Sequence, residues 1–226
     1  TLQEVVAHRL GENPMTNFVG LLKISKDRRD KVILTYYDKL DFYRELRNIL
    51  EHKSVGKDDV IAVPSNTLIT QMEEIINKIR FPKKVKDIFL KKVISFEHTD
   101  SLSKLLSAVN DNGYSQFPVF EKGKLVGIIS ENGITNFLAH SIEDDLISIK
   151  ETTVKDVLTL DETKDAFSVI SENKSIFDIE SIFSKKVNEG NSAFLILIST
   201  NGIIETSEDI IGIITPWDLP ELIKNK

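Results

Sequence analysis

Two short stretches, "GIISENG" at Gly127–Gly133 and "GIITPWD" at Gly212–Asp218, share one pattern: a glycine, two isoleucines and then a hydroxyl residue. Each stretch ends a run of apolar residues and opens a segment with helical spacing. Both therefore mark the point where a strand turns into a helix. This pattern predicts that the chain builds one local structure twice.

The residues around these stretches repeat one order of elements, β-α-β-β-α. The predicted strands and helices of the first copy are 93–96, 101–112, 115–120, 124–130 and 131–140. Those of the second copy are 167–171, 175–189, 192–199, 210–216 and 217–223. Aligning the copies pairs Gly127 with Gly212, Ser130 with Thr215, and Phe117 with Phe194. Each unit is too small to bury its own sheet, so the two should pack against each other.

The first 90 residues are predicted to be helical. Apolar residues recur every three or four positions from Asp27 to about Lys53, which predicts one long amphipathic helix. Pro64 opens a second helix, which Phe81 and Pro82 end. The predicted fold class is α+β, with a small all-α N-terminal domain before two β-α-β-β-α motifs that form a pseudo-twofold pair. The expected divisions are 1–90, 91–140, a linker at 141–166, and 167–226.

The repeated motif, the stretch "SQFPVF" at 115–120 and the tandem order of elements resemble the cystathionine-β-synthase (CBS) domain over residues 93–226. CBS domains occur in pairs, called Bateman modules. The resemblance implies a regulatory protein that binds an adenosine-type nucleotide: AMP, ADP, ATP or cyclic di-AMP. The signal would then pass through a rearrangement of the dimer or of the domains.

Carried over by position, the implied nucleotide site centres on Thr215 and Asp218. In the family the hydroxyl residue contacts phosphate or ribose, and the aspartate binds the ribose. A helix start also favours phosphate, because its backbone N–H groups have no partner within the helix. In the first copy Gly133 stands where the aspartate is expected, so Ser130 keeps only a supporting role. The flanking strand residues expected to line the site are Val169, Ile170, Ala193 and Phe194.

The same residues also describe an ordinary helix start. Thr215 would be the N-cap, Pro216 the first helical residue, and Asp218 a favourable charge at the positive end of the helix. A CBS pair that binds no ligand and serves as a dimerisation scaffold therefore stays open as an alternative to the sensor.

The stretch "YRELRNILEHKS" at Tyr43–Ser54 carries Arg47, Asn48 and His52 near the end of the predicted long helix. This R-N-x-x-x-H pattern resembles HEPN domains, many of which are metal-independent ribonucleases that act as dimers. The implied chemistry is acid–base catalysis by histidine with charge stabilisation by arginine. However, Arg47 lies about 140° around the helix from His52 and is spaced to pair with Glu51. An HEPN-like ribonuclease or RNA-binding protein gated by the CBS pair is thus the alternative. A sensor without catalytic activity is preferred.

Composition bears on the compartment and on the cofactors. The chain has no cysteine, which excludes disulfides and thiolate metal sites. His8, His98 and His140 have no partner at metal-ligand spacing, so neither a metal site nor a catalytic cofactor is expected. The longest apolar run, 193–198, is too short to span a bilayer. We expect a cytoplasmic homodimer whose Lys-, Ile- and Asn-rich composition suits a bacterial genome, with residues missing ahead of Thr1.

Charge divides unevenly along the chain. The net charge is −6, yet the first 92 residues hold 18 Lys and Arg against 13 Asp and Glu. A basic first part and an acidic second part favour different roles for the two. RNA therefore stays an alternative partner of the first part.

Overall fold

The computed structural model describes residues 1–52, 63–142, 149, 151–191 and 193–226, with only the backbone at Glu51 and His52. The chain divides into two compact units, a helical unit of Thr1–Lys83 with Lys226 and a repeat unit of Lys84–Asn225. The helices of the helical unit are α1 Leu2–Leu10, α2 Phe18–Asp27, α3 Lys31–Thr35, α4 Tyr37–His52 and α5 Asn66–Arg80.

The helix predicted from Asp27 to about Lys53 is in fact two helices, α3 and α4. Arg29 adopts a positive φ of 53°, and the Asp30 side chain caps α3 by accepting the Ile33 N–H at 2.9 Å. Tyr36, at φ −106°, then separates α3 from α4. Periodicity alone missed the break because the four-residue spacing of buried residues continues across it, from Val32 through Tyr36 to Leu40.

The repeat unit contains two copies of the predicted order, which confirms the α+β class. The elements of the first copy are β1 Phe96–Glu97, α6 Leu102–Asn112, β2 Gln116–Glu121, β3 Lys124–Ser130 and α7 Glu131–His140. The elements after it are α8 Val154–Leu160, β4 Phe167–Ser171, α9 Ile176–Asn188, β5 Leu195–Ser199, β6 Gly212–Ile214 and α10 Leu219–Asn225. Each copy forms a three-stranded sheet, in the order β1-β2-β3 or β4-β5-β6, with one parallel and one antiparallel pairing.

Strand register corrects the alignment of the two copies. Ile129 lies opposite Phe117 in the first sheet, and its counterpart Ile214 lies opposite Ile196 in the second. Ile196 therefore takes the place of Phe117, two residues beyond the predicted Phe194. The shift is even, so the same face of the strand stays buried, and hydrophobic alternation could not reveal it.

The segment that leads into each copy packs in the core of the other copy. We call Lys84–Leu90 the leading segment. The Val85 N–H donates to the Lys174 carbonyl at 2.9 Å, and Val85 and Phe89 are buried in the second copy's core beside Ile170. This core is therefore completed by residues that precede the first copy in sequence.

Helix α8 makes the reciprocal contact and lies within the stretch expected to be a linker. The Val154 N–H donates to the Asp100 carbonyl at 2.8 Å. Val154, Val157 and Leu158 are buried in the first copy's core with Phe96. A third buried cluster joins the faces of the two sheets, and its members are Phe120, Ile128, Leu195, Leu197, Ile210 and Ile213. The two copies are therefore joined in two ways: each contributes a segment to the other's core, and their sheets pack face to face.

Candidate functional site

The Thr215–Asp218 turn follows β6 directly and holds its carboxylate by one oxygen. The backbone N–H and the hydroxyl of Thr215 donate to Oδ2 of Asp218 at 2.7 and 2.9 Å. The other oxygen, Oδ1, lies 3.9 Å from Nζ of Lys91. Since the Asp218 side chain is 27% exposed, this second oxygen can still accept hydrogen bonds from a ligand.

A cavity of about 180 Å³ opens beside this turn, and both copies line it. The first copy contributes residues 91–94, ahead of β1, and residues 113–116, which lead into the start of β2. The second copy contributes Ile213, Thr215 and Asp218. The cavity therefore lies where the two copies meet around the exposed carboxylate oxygen.

The backbone brings Lys91 to this cavity. Leu90 forms a β-bridge with Gly212, and the Lys91 N–H donates to the Ile211 carbonyl at 3.1 Å. A Cβ at position 212 would lie only 2.5 Å from the Phe89 carbonyl oxygen. The glycine of the repeated motif is therefore required here by close backbone approach.

The strand residues predicted to line the site lie elsewhere. Ile170 and Phe194 are buried in the second copy's core, and Val169 packs against the cluster between the sheets. Neither these three nor Ala193 is among the residues lining the cavity beside Thr215. Its apolar walls are instead Val93, Ile94, Tyr114 and Ile213. The sequence analysis did not predict the walls that the first copy contributes, Val93, Ile94 and Tyr114. The predicted pseudo-twofold pairing of the copies was the available signal, because it brings the turn at Gly113 towards the second copy.

Ser130 contacts a carboxylate that the sequence motif does not contain. Its N–H and hydroxyl donate to Oδ2 of Asp161 at 2.6 and 2.8 Å, just as Thr215 donates to Asp218. Asp161 follows α8, is 31 residues away in sequence, and is only 2% exposed. No local signal near Ser130 could have predicted this partner.

The Thr-x-x-Asp turn recurs at two further places. Thr153 donates to Asp156 at 2.8 Å from its N–H and 2.7 Å from its hydroxyl, and Thr206 donates likewise to Asp209 at 2.8 and 3.3 Å. These hydrogen bonds lower the pKa of both carboxyls. The turn is therefore a local capping device, and Asp218 is distinguished by its cavity and by Lys91.

The HEPN-like residues lie on α4 of the helical unit. Arg47 and Asn48 are exposed there, whereas the side chain of His52 lies outside the described residues. The HEPN resemblance stays a prediction. In the described part of the chain, no group of three His, Asp or Glu is placed to hold a metal ion. No described helix is long and apolar enough to cross a membrane.

Comparison with known proteins assigns a domain family to the first copy. The family model of the CBS domain matches residues 85–140, so the chain carries a CBS domain there. The match begins at Val85, within the leading segment, and covers all elements of the first copy. The second copy repeats the same order of elements and the same sheet pairing.

Three similar proteins illustrate the match. Cystathionine beta-synthase of Saccharomyces cerevisiae is 27% identical over 60% of this chain, which spans only 29% of that relative's length. The uncharacterised protein MJ1426 of Methanocaldococcus jannaschii is 28% identical over 67% of this chain and 99% of its own length. A solved structure, the CBS domain pair of protein MJ0100 in complex with 5′-methylthioadenosine and S-adenosyl-L-methionine, is 19% identical with a TM-score of 0.44. The match covers 63% of this chain and 97% of the MJ0100 chain.

Proposed function

We propose that the CBS pair binds an adenosine-type nucleotide (AMP, ADP, ATP or cyclic di-AMP) in the cavity beside Thr215 and Asp218. The chain then acts as a regulatory sensor and not as an enzyme. The observation that carries this proposal is the cavity itself, in which both copies surround a carboxylate with one oxygen left for a ligand.

The ribose is the part of the ligand that Asp218 recognises. Thr215 holds Oδ2, which fixes the carboxylate's orientation without using Oδ1. A carboxylate oxygen accepts more than one hydrogen bond, so Oδ1 suits a pair of neighbouring sugar hydroxyls. A charged acceptor makes such bonds stronger than neutral ones.

The base fits the apolar part of the cavity. Val93, Ile94 and Ile213 offer aliphatic surface, and Tyr114 adds an aromatic ring that is 41% exposed. Ligand sites commonly combine such walls with a few polar groups, a role that Gln116 fills here. Because the cavity is smaller than the roughly 300 Å³ of typical ligand sites, we place the nucleoside inside and the phosphates at its mouth.

Lys91 and Lys92 provide the positive charge for those phosphates. Lys91 is 43% exposed and lies 3.9 Å from Asp218. When sugar hydroxyls take the carboxylate, the ammonium group of Lys91 becomes available to a phosphate oxygen. An anionic nucleotide therefore gains a contact that an uncharged nucleoside lacks.

Binding at this cavity would act on the arrangement of the two copies. The ligand contacts both of them, together with residues that follow the leading segment in sequence. The ligand favours one arrangement of the two copies only if it binds that arrangement more tightly than the other. We propose that this sensor is a homodimer, because both resembled families commonly self-associate. We assign it to the cytoplasm, which the absence of cysteine favours.

Nucleotide titration of the full chain tests the proposal. Trp217 is the chain's only tryptophan, is 88% exposed and lies between Thr215 and Asp218, so its fluorescence reports binding beside calorimetry. Asp218→Ala should weaken binding of the ligand at least tenfold. The matched control is Asp156→Ala, which removes the same kind of turn away from the cavity. If no adenine nucleotide binds at millimolar concentration, or if both variants bind equally well, the assigned site is wrong.

The second candidate is a CBS pair without a ligand, serving as a dimerisation scaffold. It is favoured by the recurrence of the Thr-x-x-Asp turn at Thr153 and Thr206, where the turn caps a helical segment. A wild-type dimer that shows neither calorimetric heat nor a fluorescence change with any of the nucleotides would support this candidate.

A further inference from the structure

Asp161 occupies, from a distant point in the chain, the place that Asp218 occupies in the second copy. We propose that Asp161 fills the first copy's half-site from within the chain, so that the CBS pair offers one nucleotide site instead of two. The count of sites rests on the proposed function. The filling of the half-site rests on the geometry alone.

The two carboxylates make the same primary contact. Oδ2 of Asp161 accepts the N–H and hydroxyl of Ser130, and Oδ2 of Asp218 accepts the same groups of Thr215. All four distances fall between 2.6 and 2.9 Å. Ser130 is thus capped as completely as Thr215, although its own motif has no aspartate.

The second oxygen is what separates them. Oδ1 of Asp161 accepts the N–H of Thr163 at 2.8 Å and its hydroxyl at 2.7 Å. Among the described residues, the contact of Oδ1 of Asp218 is with Lys91, at 3.9 Å. Asp161 is 2% exposed, against 27% for the side chain of Asp218. Both oxygens of Asp161 are therefore committed to the protein, and neither is left to accept from a ribose.

Gly133 is the steric counterpart of this arrangement. A Cβ at position 133 would lie 2.1 Å from Oδ2 of Asp161, far inside the closest approach of real atoms. Gly133 is helical and does not need a positive φ, so the requirement is for space and not for backbone freedom. Gly133 and Asp161 therefore depend on each other: the glycine leaves the space that the Asp161 carboxylate occupies, and that carboxylate replaces the aspartate missing from the first copy's motif.

The segment that carries Asp161 is also fixed to β3. The Ile128 N–H donates to the Lys164 carbonyl at 2.9 Å, and a Cβ at Gly127 would meet that carbonyl oxygen at 3.3 Å. The leading segment approaches Gly212 on β6 in the same way. The copies therefore share the backbone arrangement, and the differing carboxylates set which of them stays open.

A double-mutant cycle on the full chain tests the filling of the half-site. The variants are Gly133→Asp, Asp161→Gly and the pair together. Glycine is used at 161 because an alanine Cβ would still lie 2.6 Å from a new Cβ at 133. Each single change should lower Tm by roughly 5–10 °C, the first by overlap and the second by removing the acceptor of the Ser130 and Thr163 N–H groups. The pair should lose less than half the summed loss, because a carboxylate at 133 can cap Ser130 as Asp218 caps Thr215.

Additive losses in Tm would overturn the proposal. If Gly133→Asp alone does not fold, a double variant that does fold supports the proposal equally well. A double variant that also fails to fold overturns the proposal. Calorimetry then counts the nucleotide sites. We expect one nucleotide bound per wild-type chain and two per chain of the double variant. Two sites in the wild type would also overturn it. If no variant binds a nucleotide, the proposed function fails, and the thermal cycle alone decides the role of Asp161.

Discussion

Replacing Phe89 by alanine should destabilise the second copy, which begins about 80 residues later in sequence. The Phe89 side chain is 5% exposed and packs in the second copy's core, although residue 89 falls inside the stretch that matches the CBS domain of the first copy. Removing a buried phenylalanine costs about 3–5 kcal/mol, a large share of the roughly 5–15 kcal/mol that stabilises a typical protein.

Denaturant unfolding with hydrogen exchange measures both the size and the place of this loss. The midpoint should fall, and amide protection should drop in β5 before β2. Leu90→Ala is the control, because Leu90 is the next residue but is 47% exposed, and a surface change costs within about 0.5 kcal/mol. Equal stability losses for the two variants, or protection lost only in β2 and β3, would refute the exchange of segments.

Three further outcomes are expected. Burial raises the pKa of Tyr36 to about 12, so the neutral phenol stabilises the fold below about pH 10 and this stability is lost between about pH 10 and 12. Tyr36→Phe should therefore remove part of the alkaline loss seen in urea titrations, and identical pH profiles would contradict this. Lys91→Met should weaken binding of AMP more than that of adenosine, whereas Lys185→Met, which breaks another 3.9 Å ion pair, should change neither. Purified wild type and His52→Ala should both fail to cleave RNA; cleavage that requires His52 would favour the ribonuclease alternative.

The regular elements of the repeat could be predicted from local pattern. Strands β3 and β4 and helix α7 lie where alternation and spacing placed them, and α6 is capped by Ser101 and ended by Gly113 as expected. These signals are local, because each residue's face depends only on its neighbours in sequence. The break at Tyr36, between α3 and α4, was missed because the four-residue spacing of buried residues continues across it.

The site was harder to predict because its parts come from distant segments. Thr215 and Asp218 form the predicted turn, which is four residues long and needs only local chemistry. The walls at Val93 and Tyr114 depend on how the two copies pack, and Asp161 reaches Ser130 across 31 residues. A single sequence carries no periodicity for such contacts, so only the folded chain reveals them.

The exchange of segments also has a consequence for synthesis. The leading segment leaves the ribosome long before β5 and β6, whose core it completes. At a translation rate of about 5–20 residues per second, Val85 and Phe89 stay without their partners for roughly 5–25 seconds. During that time two apolar side chains are exposed on a growing chain, and the first copy's core also stays incomplete until α8 has been translated. The core of the second copy therefore cannot close until β6 has been translated, which leaves these side chains open to non-native contacts in the nascent chain.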